Sequence, residues 1–263
     1  MPDLTDRTVP SLDTRIAKFG DLSVRISDSA KRLTQDVATL AQDYLQSLLE
    51  QQETVSIILA TGNSQLEFLE EIVRQDRIDW SRVILFHLDE YLGIDVDHPG
   101  SFRYYLRHKV EKQVNPREFH YLNGNAKQPL AECDRYSNLL QQQAIDLCML
   151  GIGDNGHLAF NEPSVADFNE PSAVQLVKLE TKTRQQQVNG GYFQNLAEVP
   201  SYAYTLTIPT IAQARKIFCL AGGGHKQKVV RQTLQNAIAP SFPATILRTL
   251  PQATLFCDRE AYP

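Results

Sequence analysis

Several side chains capable of acid–base chemistry lie close together in residues 145–163, IDLCMLGIGDNGHLAFNEP. An apolar run is followed by three glycines, and Asn155, His157 and Glu162 lie among or just after them. Glycines let the backbone turn sharply and approach a ligand closely. A histidine with a nearby carboxylate can serve as a base with its orienting group, although a histidine satisfied by a loop carbonyl fits the same sequence. The segment predicts a site at the end of a buried strand.

Two further segments combine glycines with phosphate-binding groups. The first is TGNS, which precedes a predicted helix, and the second is GGGHK, which ends at Lys226. Backbone N–H groups and hydroxyls at a helix N-terminus can bind a phosphate, and a lysine adds a positive charge. The alternatives are an ordinary capping turn and an exposed surface lysine. The candidate phosphate-binding residues in the first segment are Thr61, Gly62, Asn63 and Ser64.

A pair of carboxylates follows another apolar run, at Asp89 and Glu90. Adjacent residues on an extended chain point in opposite directions, so we expect one carboxylate to face the site and the other to support the structure. A carboxylate is suited to moving a proton between adjacent carbons, first as base and then as acid. The alternative is a pair of solvated loop acids.

The elements that must position these residues alternate along the chain. Apolar strand-like runs, glycine or polar turns, and amphipathic helices repeat, which predicts an α/β fold with a mainly parallel sheet and helices on both faces. All four polar segments then converge at one sheet edge. We expect a single domain over residues 1–263, with 1–15 as a loose arm. The predicted strands are Val55–Ala60, Val83–Leu88, Ile145–Leu150, Val174–Leu179, Tyr204–Ile208, Lys216–Ala221 and Ala253–Asp258.

Other function classes fit the sequence less well. Gly151, Gly153 and Gly156 match a dinucleotide-binding pattern, but Pro163 follows too soon for the long helix that such a pattern opens. No G-x-S-x-G elbow supports a serine hydrolase, and the histidines and cysteines show no metal-ligand spacing.

Composition excludes further partners. The 263 residues carry a net charge of −5 without a basic tract, so we expect no nucleic-acid partner. No apolar run approaches the roughly 18 residues of a membrane span, and the N-terminus lacks the apolar core of a secretory signal. Four cysteines without C-x-x-C spacing predict buried free thiols in a cytoplasmic protein.

The chain also resembles the glucosamine-6-phosphate deaminases, from about Ala60 to Ala261. The similarity is carried in order by ATGNS, FHLDEYLG with HPGSF, NGNA, LGIGDNGHLAFNEP, TIPTI and PATILRTL followed by DREA. The resemblance implies a Rossmann-like three-layer sandwich. It also implies conversion of glucosamine 6-phosphate and water into fructose 6-phosphate and ammonia, without a redox cofactor. The expected partner is therefore a small sugar phosphate, and a homo-oligomer is possible.

Roles are carried over position by position. Asp89 resembles the base that moves a proton from C2 to C1 of the opened sugar, and His157 resembles the group that assists ring opening. Glu162 resembles the carboxylate that orients this histidine, while Asn155 stands where members have Asp or Asn. Residues 61–64 and Lys226 match phosphate-binding positions.

One departure concerns the phosphate. The family usually has an arginine just before an aromatic–Phe pair, whereas this chain has Gly191 before Tyr192 and Phe193. Loss of a guanidinium removes a bidentate, charge-assisted contact. Arg184 is the candidate replacement. Two alternative functions remain open, a lactone hydrolysis of the related 6-phosphogluconolactonase type and a sugar-phosphate-binding module without turnover. The tyrosine after Asp-Glu and the FNEP motif favour the deaminases.

Overall fold

The computed structural model describes residues 14–263, with the exception of the Asn63 side chain. Within these residues the strands are β1 (Thr14–Phe19), β2 (Leu22–Ser27), β3 (Val55–Leu59), β4 (Val83–His87), β5 (Asp89–Tyr91), β6 (Glu118–Phe119), β7 (Leu147–Gly151), β8 (Val174–Lys178), β9 (Tyr202–Leu206), β10 (Lys216–Leu220) and β11 (Ala253–Asp258). The α-helices are α1 (Ala30–Leu49), α2 (Asn63–Gln75), α3 (Phe102–Leu106), α4 (Lys112–Val114), α5 (Pro129–Gln141), α6 (Thr181–Asn189), α7 (Ile208–Ala212) and α8 (Gln227–Gln235). A π-helical turn (Arg107–Glu111) joins α3 to α4, and short 3₁₀ helices lie at Trp80–Arg82, Gly224–Lys226 and Pro243–Thr249.

Eight strands form one sheet in the order β1-β2-β11-β10-β7-β3-β4-β6. Every neighbouring pair is parallel except β1 with β2. After β3, the chain adds β4 and β6 toward one edge of the sheet. It then returns to the other side of β3 with β7 and adds β10 and β11 toward the opposite edge. The strand order therefore reverses between β3 and β7, which is where open α/β sheets bind ligands. The predicted mainly parallel sheet is confirmed.

Both faces of this sheet are covered, as predicted. Ile57 and Ile58 are adjacent in β3 and fully buried, but they belong to two different apolar clusters because successive side chains of a strand point to opposite faces. The Ile57 cluster contains the buried faces of α1 and α2, and the Ile58 cluster contains those of α5 and α8. The fold is thus a three-layer α/β sandwich.

Three strands leave the main sheet and form a small antiparallel one, in the order β5-β9-β8. Only Leu88 separates β4 from β5, so the chain passes directly from the large sheet into the small one. Asp89 pairs with Thr205 of β9 in this sheet. The sequence pattern predicted strands near β8 and β9 but not that they form a separate sheet.

The prediction of a loose arm over residues 1–15 is wrong at its C-terminal end. Thr14 and Arg15 begin β1, which pairs with β2 in a hairpin, while residues 1–13 lie outside the described part of the chain. Gly20 forms the turn with a φ of 61°, and a Cβ there would lie 2.6 Å from the carbonyl oxygen of Arg248. None of the helices between residues 14 and 263 is long and apolar enough to cross a membrane.

Candidate active site

The four polar segments lie at the carboxyl edge of adjacent strands β10, β7, β3 and β4. A cavity of about 700 Å³ opens at this edge and is lined by residues from all four segments. The convergence that the sequence predicted is therefore present. Its lining residues include Thr61, Gly62, Ser64, Asp89, Gly153, Asp154, His157, Gly222, Gly223 and Lys226.

The TGNS segment brings the N-terminus of α2 to the cavity. Gly62 precedes the helix with a φ of 94°, a conformation that glycine adopts without steric cost. Buried Gln65 anchors the turn, because its Nε2 donates to the carbonyl oxygen of Leu150 in β7 at 2.9 Å. A helix N-terminus offers unpaired N–H groups and a partial positive charge to an anion. Of the predicted residues here, the Asn63 side chain lies outside the description.

Lys226 lines the same cavity, and its ammonium is paired with the carboxylate of Asp154. Its Nζ donates to the carbonyl oxygen of Ile152 at 2.9 Å and to Asp154 Oδ1 at 3.0 Å. The second carboxylate oxygen, Asp154 Oδ2, accepts from Gln186 Nε2 on α6 at 2.6 Å. Burial by itself would raise the pKa of Asp154, but the Lys226 ammonium holds it below its usual value. Sequence reasoning placed Asp154 in the motif without assigning it a role.

The two carboxylates of DEY differ as the strand geometry predicted. Asp89 lines the cavity, whereas Glu90 is buried and accepts four hydrogen bonds, three of them from the start of α3. These come from Ser101 Oγ and from the backbone N–H groups of residues 91, 102 and 103, at 2.8–3.1 Å. Burial, and then the Glu90 charge, raise the pKa of Asp89 well above its usual value. Asp89 is therefore a stronger base than an exposed aspartate, once ionised.

His157 has its tautomer fixed by Asn155. The backbone N–H of His157 donates to Asn155 Oδ1 at 3.2 Å, which identifies that atom as an acceptor. His157 Nδ1 lies 2.6 Å from the same oxygen, so Nδ1 must carry the proton. Nε2 is then left unprotonated and able to accept a proton. Burial and the nearby Lys226 charge lower the pKa of His157 to about 4, so the ring is neutral at physiological pH.

Glycines are required beside this histidine. A Cβ on Gly153 would lie 2.1 Å from Nε2 and Cε1 of His157, far inside van der Waals contact. Gly156 has a φ of 85°, and a Cβ there would meet the Phe242 ring at 2.6 Å. Of the three glycines that resembled a dinucleotide fingerprint, Gly153 leaves room for the imidazole and Gly156 leaves room for the Phe242 ring.

Glu162 makes no hydrogen bond to His157, the residue it was predicted to orient. Its Oε2 accepts from the backbone N–H of Glu180 at 2.7 Å, at the start of α6. The side chain that orients His157 is Asn155, and Asn155 Nδ2 in turn donates to Glu180 Oε2 at 3.5 Å. Glu162 therefore acts on the loop that carries Glu180, and Glu180 was not predicted because nothing in its local sequence distinguishes it.

Arg184 is also placed differently from the prediction that it binds the phosphate. Its guanidinium donates to the carbonyl oxygens of Leu196 and Val199 at 2.7–3.1 Å, and the residue does not line the cavity. Arg184 lies on α6, a helix that the sequence did not predict, and it ties that helix to the loop that follows. The residues that line the cavity around Gly191, where the resemblance implies an arginine, are uncharged: Gln186, Gln187, Asn189, Gly190 and Tyr192.

These features define a class of protein. A mainly parallel α/β sheet carries at its carboxyl edge a cavity with a buried carboxylate, a neutral histidine and a helix N-terminus beside a lysine. Residues 28–256 match the family model described as glucosamine-6-phosphate isomerases/6-phosphogluconolactonase. The chain belongs to this family.

Curated relatives of known name match most of the chain. A glucosamine-6-phosphate deaminase from Halalkalibacterium halodurans is 35% identical over 232 residues, which cover 86% of this chain and 92% of the relative. A glucosamine-6-phosphate deaminase from Bacillus thuringiensis (strain Al Hakam) is 33% identical over 227 residues, covering 86% and 84%. Curated sequences similar to this chain therefore include the deaminases that its motifs resemble.

Solved structures agree with the fold. A structure described as a monomeric glucosamine-6-phosphate deaminase superposes with a TM-score of 0.83 at 31% identity, covering 90% of this chain and 98% of that one. A 6-phosphogluconolactonase from Thermotoga maritima superposes with a TM-score of 0.72 at 18% identity, covering 90% and 99%. At that identity the second comparison shows the fold alone.

Proposed function

We propose that this chain converts glucosamine 6-phosphate and water into fructose 6-phosphate and ammonia. The observation that carries the proposal is the cavity itself. It presents the Asp89 carboxylate, His157 and the N-terminus of α2 to one ligand. The curated deaminases at 33–35% identity supply the named activity that this geometry fits.

Ring opening is assigned to His157. Its unprotonated Nε2 accepts the proton of the C1 hydroxyl and delivers it to the ring oxygen as the C1–O5 bond breaks. The neutral ring suits this exchange, because it can take up and return a proton without a net change in charge. Asn155 holds the ring in the required tautomer through the 2.6 Å contact at Nδ1.

Proton transfer between carbons is assigned to Asp89. The carboxylate removes the C2 proton of the open-chain aldehyde, and the electron pair forms a C1=C2 double bond as the C2 ammonium of the substrate gives a proton to O1 and becomes an amine. Asp89 then returns its proton to C1, which leaves a C=N bond at C2. Water adds to C2 and ammonia leaves, so that a ketone remains. Burial strengthens Asp89 as a base for a weakly acidic carbon.

The phosphate is assigned to the α2 N-terminus and Lys226. Thr61 and Ser64 lie at that helix end, and Lys226 lines the same cavity. Backbone N–H groups and one lysine replace the bidentate contact of an arginine. With the C6 phosphate bound there, C1 and C2 of the substrate would lie near Asp89 and His157.

Lactone hydrolysis needs only an activated water and gives no role to a carbon-directed base such as Asp89. A binding module without turnover would not need a histidine held in one tautomer. Both observations favour the deaminase. The proposal also includes a single cytoplasmic domain, in keeping with its four buried free thiols. A homo-oligomer remains a prediction, which sedimentation of the purified chain will decide.

The experiment follows the C2 proton. Glucosamine 6-phosphate is incubated with enzyme in D₂O, and NMR measures loss of the C2–H signal beside an assay of ammonia. Asp89→Asn is nearly isosteric but a poor base, and we expect it to abolish exchange while sugar-phosphate binding persists. Asp134→Asn, an equal charge change on the exposed face of α5, is the control. Exchange by Asp89→Asn near the wild-type rate would remove Asp89 from this role, and absence of ammonia with the wild type would overturn the function.

A further inference from the structure

The charge balance of the cavity is unusual for a phosphate site. Among the described residues that line it, Lys226 is the single lysine, and no arginine lines it. That one cation is paired with Asp154 at 3.0 Å. Asp89, Asp154 and Glu67 also line the cavity and carry carboxylates. A phosphate that approaches Lys226 therefore meets a carboxylate already in place.

The geometry identifies Asp154 as the more exposed member of the pair. The side chain of Lys226 is 15% exposed, and that of Asp154 is 51% exposed. Lys226 is also held from the protein side by the carbonyl oxygen of Ile152, so two of its three N–H donors are occupied. The carboxylate is thus accessible to solvent and to an incoming ligand, whereas Lys226 is largely buried behind its two acceptors.

We propose that Asp154 is a built-in competitor for Lys226, an anion that the incoming phosphate must displace and that thereby sets the affinity for phosphorylated substrates. The inference rests on the proposed function for the identity of the ligand. Displacement is feasible because a partly exposed ion pair contributes little net free energy. Gln186 holds the second carboxylate oxygen at 2.6 Å and keeps the displaced group close to the site.

The competing role and a supporting role predict opposite results. If Asp154 competes, its removal frees an N–H donor of Lys226 and removes repulsion between two anions, so phosphate binds more tightly. If Asp154 instead orients Lys226 for the ligand, its removal weakens phosphate binding. A change that merely damaged the fold would also weaken binding, so a gain in affinity is diagnostic.

The test is a calorimetric titration of inorganic phosphate into the full-length chain at low and at physiological ionic strength. We expect Asp154→Asn to lower the Kd for phosphate roughly five- to tenfold, with the larger gain at low ionic strength. Asp154→Glu keeps the charge and should behave as the wild type, as should the distant control Asp134→Asn. An unchanged or raised Kd in Asp154→Asn would overturn the proposal, and an equal gain in Asp154→Glu would assign the effect to shape rather than charge and also overturn it.

Kinetics separate this inference from the function on which it rests. With glucosamine 6-phosphate, the KM of Asp154→Asn should fall in parallel with the Kd for phosphate, whereas inhibition by unphosphorylated glucosamine should not change. If no variant and no wild-type sample released ammonia, the proposed function would fail, and the phosphate titration would still decide the role of Asp154. If ammonia is released but Asp154→Asn binds neither inorganic phosphate nor glucosamine 6-phosphate more tightly than the wild type does, the function stands and the competitor role is wrong.

Discussion

The substitution Gly153→Ala should greatly slow the enzyme, because the added methyl group displaces the imidazole of His157. Gly153 has no positive φ, so alanine is compatible with its backbone conformation. The new Cβ would lie 2.1 Å from Nε2 and Cε1 of His157 and 2.4 Å from Nδ1. Cβ atoms essentially never approach other heavy atoms closer than 3.0 Å. The imidazole must therefore move by about 1 Å or rotate away.

The size of the effect follows from what that movement breaks. The ring is oriented by the 2.6 Å contact between Nδ1 and Asn155 Oδ1, which a shift of about 1 Å removes. Loss of one positioned acid–base group costs on the order of 10²–10⁴ in rate. Overpacking of this kind costs about 1–3 kcal/mol in folding free energy. We expect Gly153→Ala to be folded but slower by at least roughly 10².

The assay is the initial rate of ammonia release from glucosamine 6-phosphate, with a thermal melt to check folding. Gly224→Ala is the matched control, because its Cβ would meet nothing closer than 3.9 Å, at Glu260. If Gly153→Ala acts through the imidazole alone, then combining it with His157→Gln should be no worse than His157→Gln by itself. Near-wild-type turnover by Gly153→Ala, or a double variant whose losses multiply, would refute the reasoning.

Two further results are expected. Because burial and the Glu90 charge raise the pKa of Asp89, and the base must be ionised, kcat/KM should fall with decreasing pH at values above the ordinary aspartate range. Glu90→Gln should move this acid limb to lower pH, and a limb that stays in place would contradict the assignment. Lys226→Ala should raise the KM for glucosamine 6-phosphate roughly 10- to 100-fold, the worth of one charge-assisted hydrogen bond. Inhibition by unphosphorylated glucosamine should barely change, and Arg184→Ala, away from the cavity, should affect the melting temperature more than the KM.

The placement of the site could be predicted because it depends on strand ends. Buried parallel strands appear in the sequence as apolar runs, and their carboxyl ends must share an edge. What could not be predicted lies between residues 162 and 200, where loops rather than sheet geometry decide which groups meet. Glu162 is one residue from a proline and binds the backbone of Glu180 instead of His157. Arg184 faces its own loop because the short helix α6 turns it there.

The different roles of Asp89 and Glu90 could be predicted from the alternation of side chains along a strand. Neighbouring residues of an extended segment point to opposite sides, so Asp89 and Glu90 cannot both face the cavity. Glu90 accepts hydrogen bonds from three donors at the start of α3 and from the N–H of Tyr91, which fixes the cavity wall formed by residues 99–102 against β5. That fixed charge lies next to Asp89 and raises its pKa. One dipeptide therefore supplies a base and the buried charge that strengthens it. Reversing the two residues would turn the glutamate toward the cavity and the aspartate away from it.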